Sequence, residues 1–159
     1  MGKKGIDIIK FDVKELTKLL NKALADEWLA YYQYWIEAQV VTGPTRDAVI
    51  MELSEHAADE LRHAKMLAER ITQLKGTPIL DPSEWQKEAN CRYLKPKNFA
   101  EKPIVTDALE GERCAIETYS GLLELIEDKD EVTYQIILEI LKDEVKHEDD
   151  LEILLEGMS

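Results

Sequence analysis

Two six-residue stretches place an acid and an imidazole where a helical face calls for apolar side chains. They are DELRHA, residues 59–64, and DEVKHE, residues 143–148. Each holds a glutamate three residues before a histidine: Glu60 with His63, and Glu144 with His147. At roughly 100° per residue, positions three apart lie within about 60° of each other around a helix, so both groups face one point. Two more glutamates fill equivalent gaps. Glu27 interrupts a stripe running from Leu20 and Ala23 to Tyr34, and helix three offers Glu110 or Glu112. Steps of seven from Val105 pass through Glu112, Tyr119 and Ile126, the apolar face. Steps from Pro103 reach Glu110 and Glu117 instead, on the face of Asp107 and Arg113. Glu112 is the inward one.

A lone inward glutamate usually marks the edge of a polar face or a buried ion pair. Four in matching registers, joined by two histidines, are a different case. Leaving them unpaired in an apolar interior would cost roughly several kcal/mol per ion. The stripes supply no lysine or arginine at these levels. Two divalent cations would balance four carboxylates. Oxygen ligands with one nitrogen per metal, and positions left open, suit iron or manganese, with zinc as a further substitute.

Four long stretches with helical periodicity must position these groups, over residues 12–41, 45–75, 104–127 and 131–156. Asp12 can cap the first, with Glu15 three residues later, and Gly43-Pro44 stops it. Gly76-Thr77-Pro78 ends the second. Short alternating apolar runs are absent, so no strand is expected. Very short turns join helices one and two, and helices three and four, which makes each pair antiparallel. Residues 76–103 must cross between the pairs. Within them, Asp81-Pro82-Ser83-Glu84 reads as a cap, a proline at the first helical position and a closing glutamate, predicting a short helix over 82–90. The fold expected is all-α: one domain over residues 1–159, a four-helix bundle with a long crossover and an N-terminal extension over 1–11.

Composition sets the outer limits. Apolar residues make up 45% of the chain, and 33 acids oppose 20 bases for a formal charge of −13. Such a surface repels phosphate backbones and anionic membranes and attracts cations. No run approaches the ~20 apolar residues of a membrane span, and residues 1–10 lack a secretory core, which points to the cytoplasm. Two cysteines, Cys91 and Cys114, are too few for a disulfide scaffold. Cys114 points about 200° away from Glu112. Spacing leaves open whether Cys91 pairs with it or both are unrelated buried thiols.

Glu27, Glu60-x-x-His63, Glu112 and Glu144-x-x-His147 resemble the di-iron carboxylate site of the ferritin-like superfamily, in which a glutamate from each of two helices meets a Glu-x-x-His pair from each of the other two. LNKALADEW, DELRHAKMLAERI and ILKDEVKHEDDLE resemble bacterioferritin in particular. The resemblance implies that Glu27 and His63 hold one iron, Glu112 and His147 the other, and that Glu60 and Glu144 bridge them. Leu61 stands where bacterioferritins carry a haem-binding methionine, so no haem is expected. The sequence ends at Ser159, just past helix four, without the fifth helix of ferritins. EWLAYYQYW and ERCAI, with the cysteines, resemble the Dps-like group also called thioferritins. That group implies a dodecameric shell that oxidises Fe(II), preferentially with hydrogen peroxide, and stores ferric mineral. It also favours a redox-active disulfide between Cys91 and Cys114. His56, one turn before Glu60, is expected to support the site or pack, rather than to bind iron. Tyr31, Tyr34 and Tyr119 lie near the site level, whereas Trp28, Tyr32 and Trp35 suit a core edge or subunit interface. Two rivals stand beside this reading: a passive metal-sequestering protein, and a rubrerythrin-like peroxidase without a cage. The second lacks its four-cysteine rubredoxin module. No nucleic-acid partner is expected, for want of a lysine-rich tail.

Overall fold

The computed structural model describes residues 2–158. Among these residues six α-helices follow one another: α1 (Lys3–Asp7), α2 (Val13–Val40), α3 (Arg46–Gln73), α4 (Trp85–Glu88), α5 (Glu101–Ile126) and α6 (Glu131–Gly157). Helices α2, α3, α5 and α6 form the bundle, with α2 against α3 and α5 against α6 as the two hairpins. Among the described residues there is no strand, only an isolated bridge between Thr42 and Ala100. Nor is any helix among them long and apolar enough to cross a membrane.

Local chemistry accounts for the ends. Asp12 accepts from the Glu15 N–H at 2.8 Å, satisfying a donor that the helix itself leaves unpaired. At the end of α3, Lys75 takes the left-handed conformation (φ 67°) and the Gly76 N–H reaches back to the Ile71 carbonyl at 2.9 Å. Gly76 is required for a different reason: a Cβ there would overlap the Thr17 side chain. Gly43, at φ 146°, supplies the turn between α2 and α3, and a side chain there would strike the Glu101 carboxylate.

Two boundaries differ from the sequence reading. Helix α5 starts at Glu101, not residue 104, because Pro103 lies in the first turn, where its missing N–H has no helical partner to lose. The crossover helix is shorter than 82–90, comprising a 3₁₀ turn at Pro82–Glu84 and then α4. It stops because Asn90 Nδ2 and the Cys91 N–H both turn to the Asp26 carboxylate, at 2.7 and 2.8 Å. Ahead of the bundle, α1 is followed by Lys10, whose N–H bonds to the Lys129 carbonyl at 2.7 Å. Trp85 of α4 stacks on Trp28 of α2 at 5.4 Å, docking the crossover on the bundle.

Two apolar clusters fill the interior. One contains Leu16, Leu20, Leu67, Ile71, Ile126 and Ile137, and the other Tyr34, Val49, Leu53, Ile104, Val105 and Leu151. On every bundle helix the four glutamates and two histidines fall between these clusters in sequence. A polar layer is thus clamped between two dry ones.

A second buried charge closes the bundle's end. Arg70 of α3 donates to both Asp130 oxygens at 3.0 and 2.7 Å and to Thr133 at 2.7 Å. Asp130 also caps α6 through the Val132 and Thr133 N–H groups. Asp130→Ala removes the carboxylate that faces this guanidinium, which is 1% exposed. The expected loss is about 3–5 kcal/mol of unfolding free energy, read from urea denaturation.

Candidate metal centre

Glu27 comes from α2, Glu60 and His63 from α3, Glu112 from α5, and Glu144 and His147 from α6. All six are at most 2% exposed. Their arrangement is two-fold. The His63 Nδ1 lies 3.0 Å from Glu60 Oε2, 3.1 Å from Glu144 Oε1 and 3.5 Å from Glu27 Oε2. The His147 Nδ1 lies 3.4 Å from Glu60 Oε1, 3.5 Å from Glu144 Oε2 and 3.5 Å from Glu112 Oε1. Glu60 and Glu144 therefore each turn one oxygen toward each imidazole. Two overlapping sets of four result, Glu27–Glu60–His63–Glu144 and Glu60–Glu112–Glu144–His147, with the ligand atoms of each set within 4.8 Å of one another.

These donors are left without adequate partners. Glu27 Oε2, Glu60 Oε1, Glu112 Oε1, Glu144 Oε1 and His147 Nδ1 are buried and make no hydrogen bond. Such orphaned groups are costly unless something fills the space between them. An oxygen-rich set with one imidazole on each side fits a pair of divalent transition-metal ions.

Without metal, protons must take that role. Burial alone would depress the His63 imidazole, but Glu144, Glu27 and Glu60 outweigh it and hold its pKa far above the ordinary value. His147 behaves likewise beside Glu112, Glu144 and Glu60. Burial raises Glu60 and Glu144, and the nearby carboxylates add to the rise. Glu112 goes the other way, down to about 2, because His147 and His56 overcome its burial.

Sequence reading passed over the groups that orient the histidines. The His63 Nε2 meets Asp143 at 3.1 Å, and the His147 Nε2 meets Asp59 at 3.3 Å, each acid reaching across from the other helix. Arg62 links the two acids, at 3.1 Å from Asp59 and 2.5 Å from Asp143. An Nε2–H donated outward leaves the Nδ1 lone pair pointing at the cluster, which is the tautomer a metal needs. The signal was visible, since both motifs read Asp-Glu-x-x-His.

Among the other singled-out residues, the Tyr119 hydroxyl donates to Glu27 Oε1. Tyr34 is buried with its hydroxyl beside Glu112. Tyr31 instead packs edge-on against Trp28 at 6.2 Å. Tyr32 and Trp35 are roughly half exposed, whereas Trp28 is covered by Trp85. His56 is fully buried, stacked on His147 at 3.9 Å and 3.4 Å from Glu112. Cys91 and Cys114 are joined as a disulfide, tying the crossover to α5. Cys91 helps line a cavity of about 30 Å³ together with Glu27, Glu60, Glu112, Glu144 and Gly111. That is room for one or two water-sized molecules. At Gly111 a Cβ would stand 3.1 Å from the Tyr34 hydroxyl.

Two further acids of α2 escaped the pattern. Asp26 is pushed up to about 7 by burial, against the hydrogen bonds from Cys91 and Asn90. Glu37 is fully buried with neither oxygen hydrogen-bonded, and burial, then Asp107, drive it up to about 9. A raised acid favours the folded state below the ordinary value of 4.5 and loses that advantage as pH climbs toward 9. Glu37→Gln should therefore match the parent in stability near pH 4 and exceed it by on the order of a few kcal/mol at pH 8 to 9. Melting curves across that range check the divergence.

Comparison with known proteins bears on the family and the fold. The model of the ferritin-like domain family matches residues 17–159. The DNA protection during starvation protein of Pyrococcus furiosus is 35% identical over 148 residues, covering 92% of this chain and 80% of the relative. The bacterioferritin of Desulfovibrio desulfuricans is 29% identical, over 84% of this chain and 70% of its own. Among solved structures, the dodecameric thioferritin of Bacteroides fragilis, a bacterioferritin-related protein, superposes with a TM-score of 0.96. It is 42% identical, covering 99% of this chain and 95% of the other. Dps from Thermosynechococcus elongatus shares the fold at a TM-score of 0.84 and 21% identity, over 90% and 92% of the two chains.

Proposed function

The chain belongs to the ferritin-like family, and on that premise we propose that it is a ferroxidase and iron store. It oxidises Fe(II), with hydrogen peroxide as the preferred oxidant, and holds the ferric product inside a shell of identical subunits. One observation carries the reading: Glu60 and Glu144 each offer one oxygen to each imidazole. A pair of ions would share such carboxylates.

Fe(II) is the substrate, drawn by the charge of −13. Glu27 and His63 would take one ion, Glu112 and His147 the second, with Glu60 and Glu144 between them. Each ion would supply one electron, so two ions, with two protons taken up, would reduce one peroxide to two waters without releasing a hydroxyl radical. Asp143 and Asp59 hold the imidazoles with Nδ1 inward. Tyr119 fixes Glu27, and the apolar clusters on either side keep bulk water out. Cys91 of the Cys91–Cys114 disulfide lines the same cavity, which supports a redox role for that bond beside the centre. Twelve copies, as in the Bacteroides fragilis thioferritin, would enclose the mineral, and the cytoplasm is the compartment we infer.

Anaerobic loading with Fe(II) followed by peroxide tests the chemistry. Rapid oxidation at two irons per peroxide is expected, whereas a passive metal binder gives none. A solution mass near twelve times 18.3 kDa is expected for the shell. A monomer or dimer would leave no cavity for storage and would favour a peroxidase without a cage. A gel-shift assay at low salt should show no DNA retention, given the acidic surface.

A further inference from the structure

The third histidine has a conflict that the buried pair does not resolve. His56 is fully buried, with Nδ1 3.4 Å from Glu112 Oε1 and Nε2 3.1 Å from Glu52 Oε1. A neutral imidazole carries one proton, so it cannot donate to both carboxylates. The Nδ1 makes no hydrogen bond. If the proton faces Glu112, the Nε2 lone pair faces an acid oxygen with nothing between them.

A third acid converges on the Nε2 side. Asp150, one turn beyond His147 on α6, brings an oxygen that lies with His56 nitrogen and Glu52 oxygen within 4.8 Å of one another. One imidazole nitrogen and two carboxylates form a three-donor set for a divalent cation. Glu52 and Asp150 keep 20% and 27% of their side chains exposed, so this side opens to solvent, unlike the pair beneath. Asp150 is held at 3.0 Å by Lys146, whose side chain is 60% exposed. An exposed pair of that kind is weak and can be displaced by a doubly charged ion.

We propose that Glu52, His56 and Asp150 form a third divalent-cation site, from which the ion passes inward to Glu112 and His147. His56 suits the passage, since one nitrogen addresses the outer acids and the other addresses Glu112. The passage step, unlike the site, rests on the ferroxidase reading.

Crystals soaked in Zn²⁺ should show three anomalous peaks per subunit, the third between Glu52, His56 and Asp150. The variant Glu52→Gln/Asp150→Asn, altered only at the solvent edge, should lose the third peak and keep the other two. Co²⁺ titration should fall from three ions per chain to two, and stopped-flow loading of the buried pair should slow several-fold. Two peaks only in the parent protein, or loading by the variant at the parent rate, would overturn the proposal. A third-site peak over a pair that takes up no metal would count against the ferroxidase reading instead, so the two failures are distinguishable.

Discussion

Glu144→Gln is expected to lower the initial rate of Fe(II) oxidation by at least about 100-fold while leaving the metal-free protein folded and more stable. The rate falls because Glu144 supplies one oxygen to each half of the site, and an amide is a poor bridge. Groups that merely orient metal ligands already cost about 10–100-fold when removed, so a bridging donor should cost no less. Stability moves the other way for an electrostatic reason. Burial, then the adjacent Glu112, raises the Glu144 carboxyl above its ordinary value. Its contribution to the folded state is therefore greatest in acid and declines as pH rises through that raised value. Glutamine keeps the volume and removes the charge, so the gain over the parent grows from pH 5 to pH 8, to about 1–3 kcal/mol. Stopped-flow oxidation and thermal melts of the apoprotein give the two readouts. A variant that loses activity and stability together would mean that Glu144 holds the fold rather than a metal.

Loading the apoprotein with Zn²⁺, which cannot be oxidised, is expected to produce the largest stability change of all. Each site filled at a hundred times its dissociation constant adds about 2.7 kcal/mol, so two add roughly 5 kcal/mol. For a chain of this length that corresponds to a rise of roughly 10–20 °C in melting temperature. The gain should vanish on chelation and shrink below about pH 4.5, where protons compete for the carboxylates. Glu144→Gln should forfeit at least half of it. A melting temperature indifferent to Zn²⁺ would mean that the layer of acids is neutralised by its own histidines and has no affinity for metal.

Much of this centre could be read before any coordinates. Glu27, Glu60, His63, Glu112, Glu144 and His147 sit in gaps of apolar stripes, and a regular helix projects every seventh residue onto nearly the same face. That arithmetic alone selects Glu112 over Glu110, and the structure places Glu112 at 1% exposure and Glu110 outside. Helix ends were legible where a single cap decided them, as at Asp12, and less so where distant partners intervened. The crossover helix ends early because Asp26, on another helix, captures Asn90 and Cys91. Nothing local to residues 88–91 carries that information.

The sequence by itself determined which residues face inward and at what level along each helix, because helical geometry converts spacing into direction. Tertiary structure alone decided how the inward groups divide among themselves. It set which oxygen of Glu60 and Glu144 meets which imidazole, and crossed Asp143 to His63 and Asp59 to His147. It also turned His56 between Glu112 and Glu52, and brought Cys91 to Cys114. These pairings depend on the rotation and offset of one helix against another, which the packing of the two apolar clusters sets through contacts far apart in the chain.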